Sequence, residues 1–126
     1  MTYGGYTGSP AYTANAETWN GSAWTEVSNL SDVKAVLGGG GASNTSQLAF
    51  GGYGGSPESA RFANTESWNG SSWSEVGDLS QAIMFGAGSG GSSLSALSSG
   101  GESTASPDTQ ATTEEWTVPE SISNLT

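Results

Sequence analysis

The chain has 126 residues, of which 33% are hydrophobic, so it can build one small domain with little bulk for a core. Its formal net charge is −10, with only Lys34 and Arg61 set against 12 acidic side chains. No basic stripe exists to displace counterions from nucleic acid, and an anionic membrane surface would repel the chain. Neither Cys nor His occurs, which removes thiol nucleophiles, disulfides, imidazole bases and the commonest zinc ligands together.

Glycine and serine dominate, as in a flexible linker, yet five Trp, four Tyr and three Phe recur at regular offsets. The first residues, "MTYGG", lack the basic start and apolar run of a secretory signal. No stretch approaches the roughly 20 apolar residues of a membrane span, so no membrane insertion is expected. "MTYGG" instead reads as a strand ahead of a glycine doublet, Gly4-Gly5, and "YTGSPAYTAN" (Tyr6 to Asn15) as a long loop. "AETWNGSAWTEV" (Ala16 to Val27) is a hairpin with Trp19 and Trp24 on its two strands.

"VKAVLGGGGA" (Val33 to Ala42) starts apolar and dissolves into glycine. Its run "LGGGGAS" reads as a loop joining a first strand to a second. "SQLAFGGYGG" (Ser46 to Gly55) is a short buried strand stopped by Gly51-Gly52, followed by a second long loop, "YGGSPESARFAN" (Tyr53 to Asn64). "TESWNGSSWSEV" (Thr65 to Val76) repeats the earlier hairpin. Trp68 and Trp73 flank Asn69-Gly70, a pair suited to a tight type I′ turn. "QAIMFGAGSG" (Gln81 to Gly90) again starts apolar and ends in glycine, and "GAGSGGSS" reads as the next loop. A third doublet, Gly100-Gly101, precedes a weaker third copy around Trp116, where Thr117-Val118-Pro119 replaces Asn-Gly. Pro119 cannot donate to a ladder, so a last strand there is doubtful.

Trp19 and Trp68, Trp24 and Trp73, Glu17 and Glu66, and Leu30 and Leu79 all stand 49 residues apart. A period of about 40–50 residues is the signature of solenoids and propellers. The expected fold is all-β, with four strands per period. The tryptophans supply bulk that Gly, Ser, Ala and Thr cannot, and repetition at equivalent places favours packing over sugar stacking for them.

An apolar run, a Gly-Gly pair, an aromatic and a closing Trp resemble the kelch repeat. Leu48-Ala49-Phe50, Gly51-Gly52, Trp68 and Trp73 carry the likeness. Trp68 stands where that family more often has Tyr, the doublet-to-aromatic spacing is longer, and the hairpin is shorter. The Gly/Ser/Thr-rich form looks like the kelch-like repeats of bacteriophage virion and tail proteins. The resemblance implies a β-propeller of four-stranded antiparallel blades. Its expected divisions are a partial blade over 1–31, a full blade over 32–79, and a blade with a doubtful last strand over 80–118. Residues 119–126 would be a C-terminal extension.

Two and a half to three blades fall short of the usual four to eight. The expectation is that copies of the chain close one ring, most simply as a homodimer, or that the chain is a piece of a longer propeller protein. The structural motif comprises Gly4, Gly5, Trp19, Trp24, Gly51, Gly52, Trp68, Trp73, Gly100, Gly101 and Trp116.

Glu17, Glu66 and Glu114 recur two residues before each Trp and read as a solvated strand face rather than a catalytic pair. Asp32, Asp78 and Asp108 lack calcium-loop spacing, and the glycine runs lack the Lys-Ser/Thr of a phosphate loop. No catalytic residue, metal or cofactor is therefore expected. The two long loops fall on one side of the blades and offer Tyr6, Tyr12, Tyr53, Arg61 and Phe62 as candidate binding residues. These aromatics could equally pack the loops onto the blades. The expected role is a non-enzymatic virion- or tail-associated module, in a virion or extracellular setting, that presents loops to host glycans or other virion proteins. A free carbohydrate-binding lectin is the alternative.

Overall fold

The computed structural model describes residues 1–8, 11–54, 60–104 and 109–118. The expected extension 119–126, the middle of the 53–64 segment and Asp108 lie outside these residues. The described chain is all-β, built from strands in small antiparallel sheets. In chain order the strands are β1 (Thr2–Gly8), β2 (Ala11–Trp19), β3 (Trp24–Val27), β4 (Gly38–Ser43), β5 (Ser46–Phe50), β6 (Tyr53–Gly54) and β7 (Ala60–Arg61). They continue with β8 (Thr65–Trp68), β9 (Trp73–Val76), β10 (Ile83–Met84), β11 (Ala87–Ser92), β12 (Ser95–Ser99), β13 (Glu102–Ser103) and β14 (Thr113–Thr117).

Sheet I is β1-β2-β3, sheet II is β4-β5-β8-β9, and sheet III is β11-β12-β14. Two small pairs complete the set: β6-β7 falls between β5 and β8 in sequence, and β10-β13 joins the segment before β11 to the one between β12 and β14. The Trp hairpins come out as the repeat predicts, with Trp19 opposite Trp24 and Trp68 opposite Trp73. Their rings meet at 5.5 and 5.3 Å with similar tilt. The turns differ from the expected two-residue form. Each loop holds four residues, and the Asn acts by accepting rather than by adopting positive φ. The Asn20 Oδ1 takes the Ser22 and Ala23 amides at 2.9 Å each, and Asn69 Oδ1 takes those of Ser71 and Ser72 at 2.9 and 3.0 Å.

The expected first strands are also displaced. The apolar stretches before the glycine runs do not form them; the glycine runs themselves do, as β4 and β11. Glycine is a poor strand former, so the reason lies in packing rather than propensity. The two strands meet backbone to backbone. A Cβ on Gly40 would lie 3.1 Å from the Gly90 nitrogen, and one on Gly88 would run into the Gly39 backbone and the Phe50 ring. Only bare backbone fits there.

The glycine doublets do one job three times. Gly4, Gly51 and Gly100 have φ of 66, 65 and 65°, and Gly5, Gly52 and Gly101 follow at 136, 113 and 106°. That left-handed pair bends the chain within β1, where the register shifts, and directly after β5 and β12. It also brings the amides of Gly5 and Gly52 onto the carbonyls of Lys34 and Ile83, at 2.9 and 2.7 Å.

Strand register fixes which side chains share a face. On sheet II, Leu48, Phe50 and Val76 lie on one side and Glu66, Trp68 and Trp73 on the other. The first side packs on sheet III, where Leu48, Phe50 and Ala96 are buried together with Val76, Leu79 and Trp116 around them. Burying a Leu or Phe side chain is worth about 1.5–3 kcal/mol, so this small cluster is the main apolar core. The second side packs on sheet I. There the Tyr3 hydroxyl donates to the Leu48 carbonyl at 3.0 Å and its ring meets Trp73 edge-on at 5.2 Å. The sheets are thus stacked in sequence order.

The bare-backbone contact gives a direct test. Gly88→Ala is expected to lose about 2 kcal/mol, because overpacking against unyielding backbone costs about 1–3. Gly91→Ala, on the same strand with open space at its Cβ, is expected to stay within about 0.5 kcal/mol of wild type. Urea unfolding of the two variants makes the comparison.

A candidate binding cleft of aromatic side chains

The hairpin of sheet I continues past its glycine doublet, with Tyr6 paired opposite Tyr12. In sheet II the same continuation is the separate pair β6-β7, with Tyr53 opposite Arg61. The expected long loops are therefore mostly extended hairpin in the described residues. Their tips bring three tyrosines into a row. The rings of Tyr6 and Tyr12 lie 5.5 Å apart, and those of Tyr12 and Tyr53 lie 6.0 Å apart. Gly54 leaves room for the Tyr12 ring against its backbone, where a Cβ would sit 2.8 Å from the ring.

This row forms one wall of a cleft of about 350 Å³. The other wall comes from the segments leading into sheets II and III: Ala35 and Val36 from one, Met84 and Phe85 from the other. Val36 and Phe85 are the described non-glycine residues with positive φ, at 51 and 58°. A β-branched residue in that region is strained by roughly 1–3 kcal/mol. The Phe85 amide donates to the Val36 carbonyl at 2.9 Å, so the two turns brace one another. Phe85 stays 60% exposed and Tyr6 58% exposed, leaving the cleft open to solvent.

Of the five residues expected to form a binding surface, Tyr6, Tyr12 and Tyr53 come together and the other two do not join them. Arg61 pairs with Glu102 at 3.8 Å. Phe62 is held by its amide on the Gly52 carbonyl and lies under the Lys34 ammonium, 5.5 Å from ring centre to nitrogen. Val36 and Phe85 escaped the sequence reading, although they stand 49 residues apart, at equivalent places in the repeat.

The expectation of a solvated glutamate face holds for Glu17 and is corrected for its counterparts. Glu66 is buried, and Glu114 is half-buried. Glu66 accepts the Ser31 amide at 2.9 Å and faces Lys34 at 3.6 Å, an ion pair beyond hydrogen-bond contact. Lys34 itself is fully buried and donates to Asn64 Oδ1 at 3.1 Å, while Asn64 donates to Asp32 at 3.0 Å. Glu114 repeats the Glu66 contact, accepting the Ser80 amide at 2.9 Å and its hydroxyl at 2.8 Å. These acids pin the segment leaving one sheet to the face of the next. Among the described residues no three His, Cys, Asp or Glu side chains group as metal ligands would, and no helix is long and apolar enough to cross a membrane.

Compared with known proteins, the chain matches no family model and no curated protein.

Burial lowers the Lys34 ammonium below its ordinary 10.5, against the opposing pull of Glu66 and then Asp32. The folded state therefore gains stability as pH rises from that lowered value towards 10.5, where the unfolded chain still holds the proton. Burial of Tyr3 raises its phenol above 10.0 and acts in the opposite sense above that pH. Lys34→Met should abolish the first effect, and a difference curve of unfolding free energy against pH isolates it. At pH 7 the same variant strands Glu66 and is expected to cost about 3 kcal/mol. Adding Glu66→Gln, which can still accept from Ser31, should recover most of that loss.

Proposed function

We propose that the chain is a non-enzymatic structural and binding module, an arc of a kelch-like β-propeller that assembles with further copies of itself on a virion or tail. Its task is attachment, through repeated presentation of the aromatic cleft to a glycan. The carrying observation is the convergence of Tyr6, Tyr12, Tyr53 and Phe85 on one open, apolar cleft, on a chain otherwise rich in Gly and Ser. Small-ligand sites are concave and mostly apolar, start at roughly 300 Å³, and use a few polar groups for orientation. Aromatic rings offer flat faces to the C–H side of a sugar, and tyrosine hydroxyls reach its oxygens.

The stacking of three sheets with the same faces meeting at each joint supports the propeller arc. The virion setting rests on the sequence resemblance. A single such cleft binds weakly, and copies held in one assembly raise the effective affinity without new contacts.

A glycan array probed with the full chain tests the reading. Binding to at least one glycan class is expected. Tyr6→Ala and Phe85→Ala should each weaken it about tenfold, the equivalent of about 1.4 kcal/mol of lost stacking. Arg61→Ala should leave it unchanged. Absence of binding to every glycan, or binding indifferent to both aromatic variants, would remove the attachment role.

A further inference from the structure

The sheet stack buries the same kind of joint twice and leaves its two halves uncovered at the ends. At the first joint, sheet I turns Tyr3, Ala16 and Val27 towards the face of sheet II that carries Glu66, Trp68 and Trp73. Trp73 donates its indole N–H to the Ser28 carbonyl at 3.0 Å, and Ser31 donates to Glu66. At the second joint, sheet II turns Leu48, Phe50 and Val76 towards the face of sheet III that carries Ala96, Glu114 and Trp116. Ser80 donates to Glu114 there. In both, the Trp-Glu face of the later sheet receives the apolar face of the earlier one.

Register leaves one face of each kind over. Sheet I has an open Trp-Glu face of Glu17, Trp19, Trp24 and Glu26. Trp19 is 44% exposed, against 1% for its counterpart Trp68, and Trp24 is 51% exposed. Sheet III has an open apolar-type face of Ser89, Leu97 and Ser99, and Leu97 is 46% exposed, against 0% for its counterpart Leu48. We infer that sheet III of one copy docks on sheet I of a second copy, setting Trp19 and Trp24 of one against Leu97 of the other. The joint continues an interface the chain already makes internally. Its two sides are different surfaces, so association is head-to-tail and closes a ring or runs on as a filament. This rests on the propeller-arc reading and gives its assembly a defined geometry. Glu17 and Glu26 approach Glu115 across the joint, so added salt should tighten association by screening like charges.

Sedimentation of the full chain tests it. Wild type is expected to associate with rising concentration, more so at higher salt. Trp24→Arg and Leu97→Arg should each weaken self-association at least tenfold. Mixed in equal amounts, they should form a heterodimer and nothing larger, because each keeps the face that the other has lost. Both positions are exposed, and circular dichroism checks folding; Trp19→Ser with Ser99→Arg is the second pair. A wild type that stays monomeric at every concentration overturns both this joint and assembly from copies. A wild type that associates while Leu97→Arg associates equally well, or a mixture that stays monomeric, overturns only the joint.

Discussion

Everything in this fold depends on bare backbone meeting bare backbone. β4 and β11 approach so closely that a side chain on Gly40 would press on the main chain at Gly90, and one on Gly88 on the main chain at Gly39. Further across the same sheets the spacers become Leu48, Phe50 and Ala96, and then the indole of Trp116. Sheets II and III are therefore closest along their glycine strands and are held apart by larger groups farther out. Side-chain size, graded across sheets II and III, sets how the one lies on the other.

The second requirement is that each sheet know its neighbour. Apolar contact alone is permissive, since Ala, Val and Leu pack in many ways. The carboxylates at the joints, one buried and one half-buried, supply the selectivity. Glu66 and Glu114 each take the backbone amide of a serine leaving the previous sheet, and Lys34, buried beneath, neutralises the first of them. An unpaired charge at that depth is costly, so a mispaired sheet would be penalised by far more than the loss of a few methyl contacts.

The hairpins and the doublets were legible because they recur, and recurrence at a fixed offset overrides weak local propensity. The glycine strands were not. A run such as Gly38 to Gly41 has every local mark of a loop, and only the opposing backbone of β11 makes a strand of it. Glu66 was misread for a related reason. Its neighbours in sequence are polar, and its partner Lys34 stands 32 residues away, where no periodicity points to it. Of the cleft, the tyrosines could be picked out as aromatics in polar company. The far wall could not, because Val36 and Phe85 read as the start of strands, and their left-handed turns depend on the hydrogen bond between them.

The doublets at Gly4-Gly5, Gly51-Gly52 and Gly100-Gly101 make the same bend in each segment, and the sheets meet in chain order, I on II through Tyr3, Ser28 and Ser31, and II on III through the glycine strands and the Leu48-Phe50-Ala96 cluster. Such an array has no central keystone. Its cooperativity is that of a row, in which stability is a sum over units and the joints between neighbours. Under mechanical load it would come apart one layer at a time. By the same logic, duplicating a whole 49-residue unit would lengthen the row without asking any existing layer to repack.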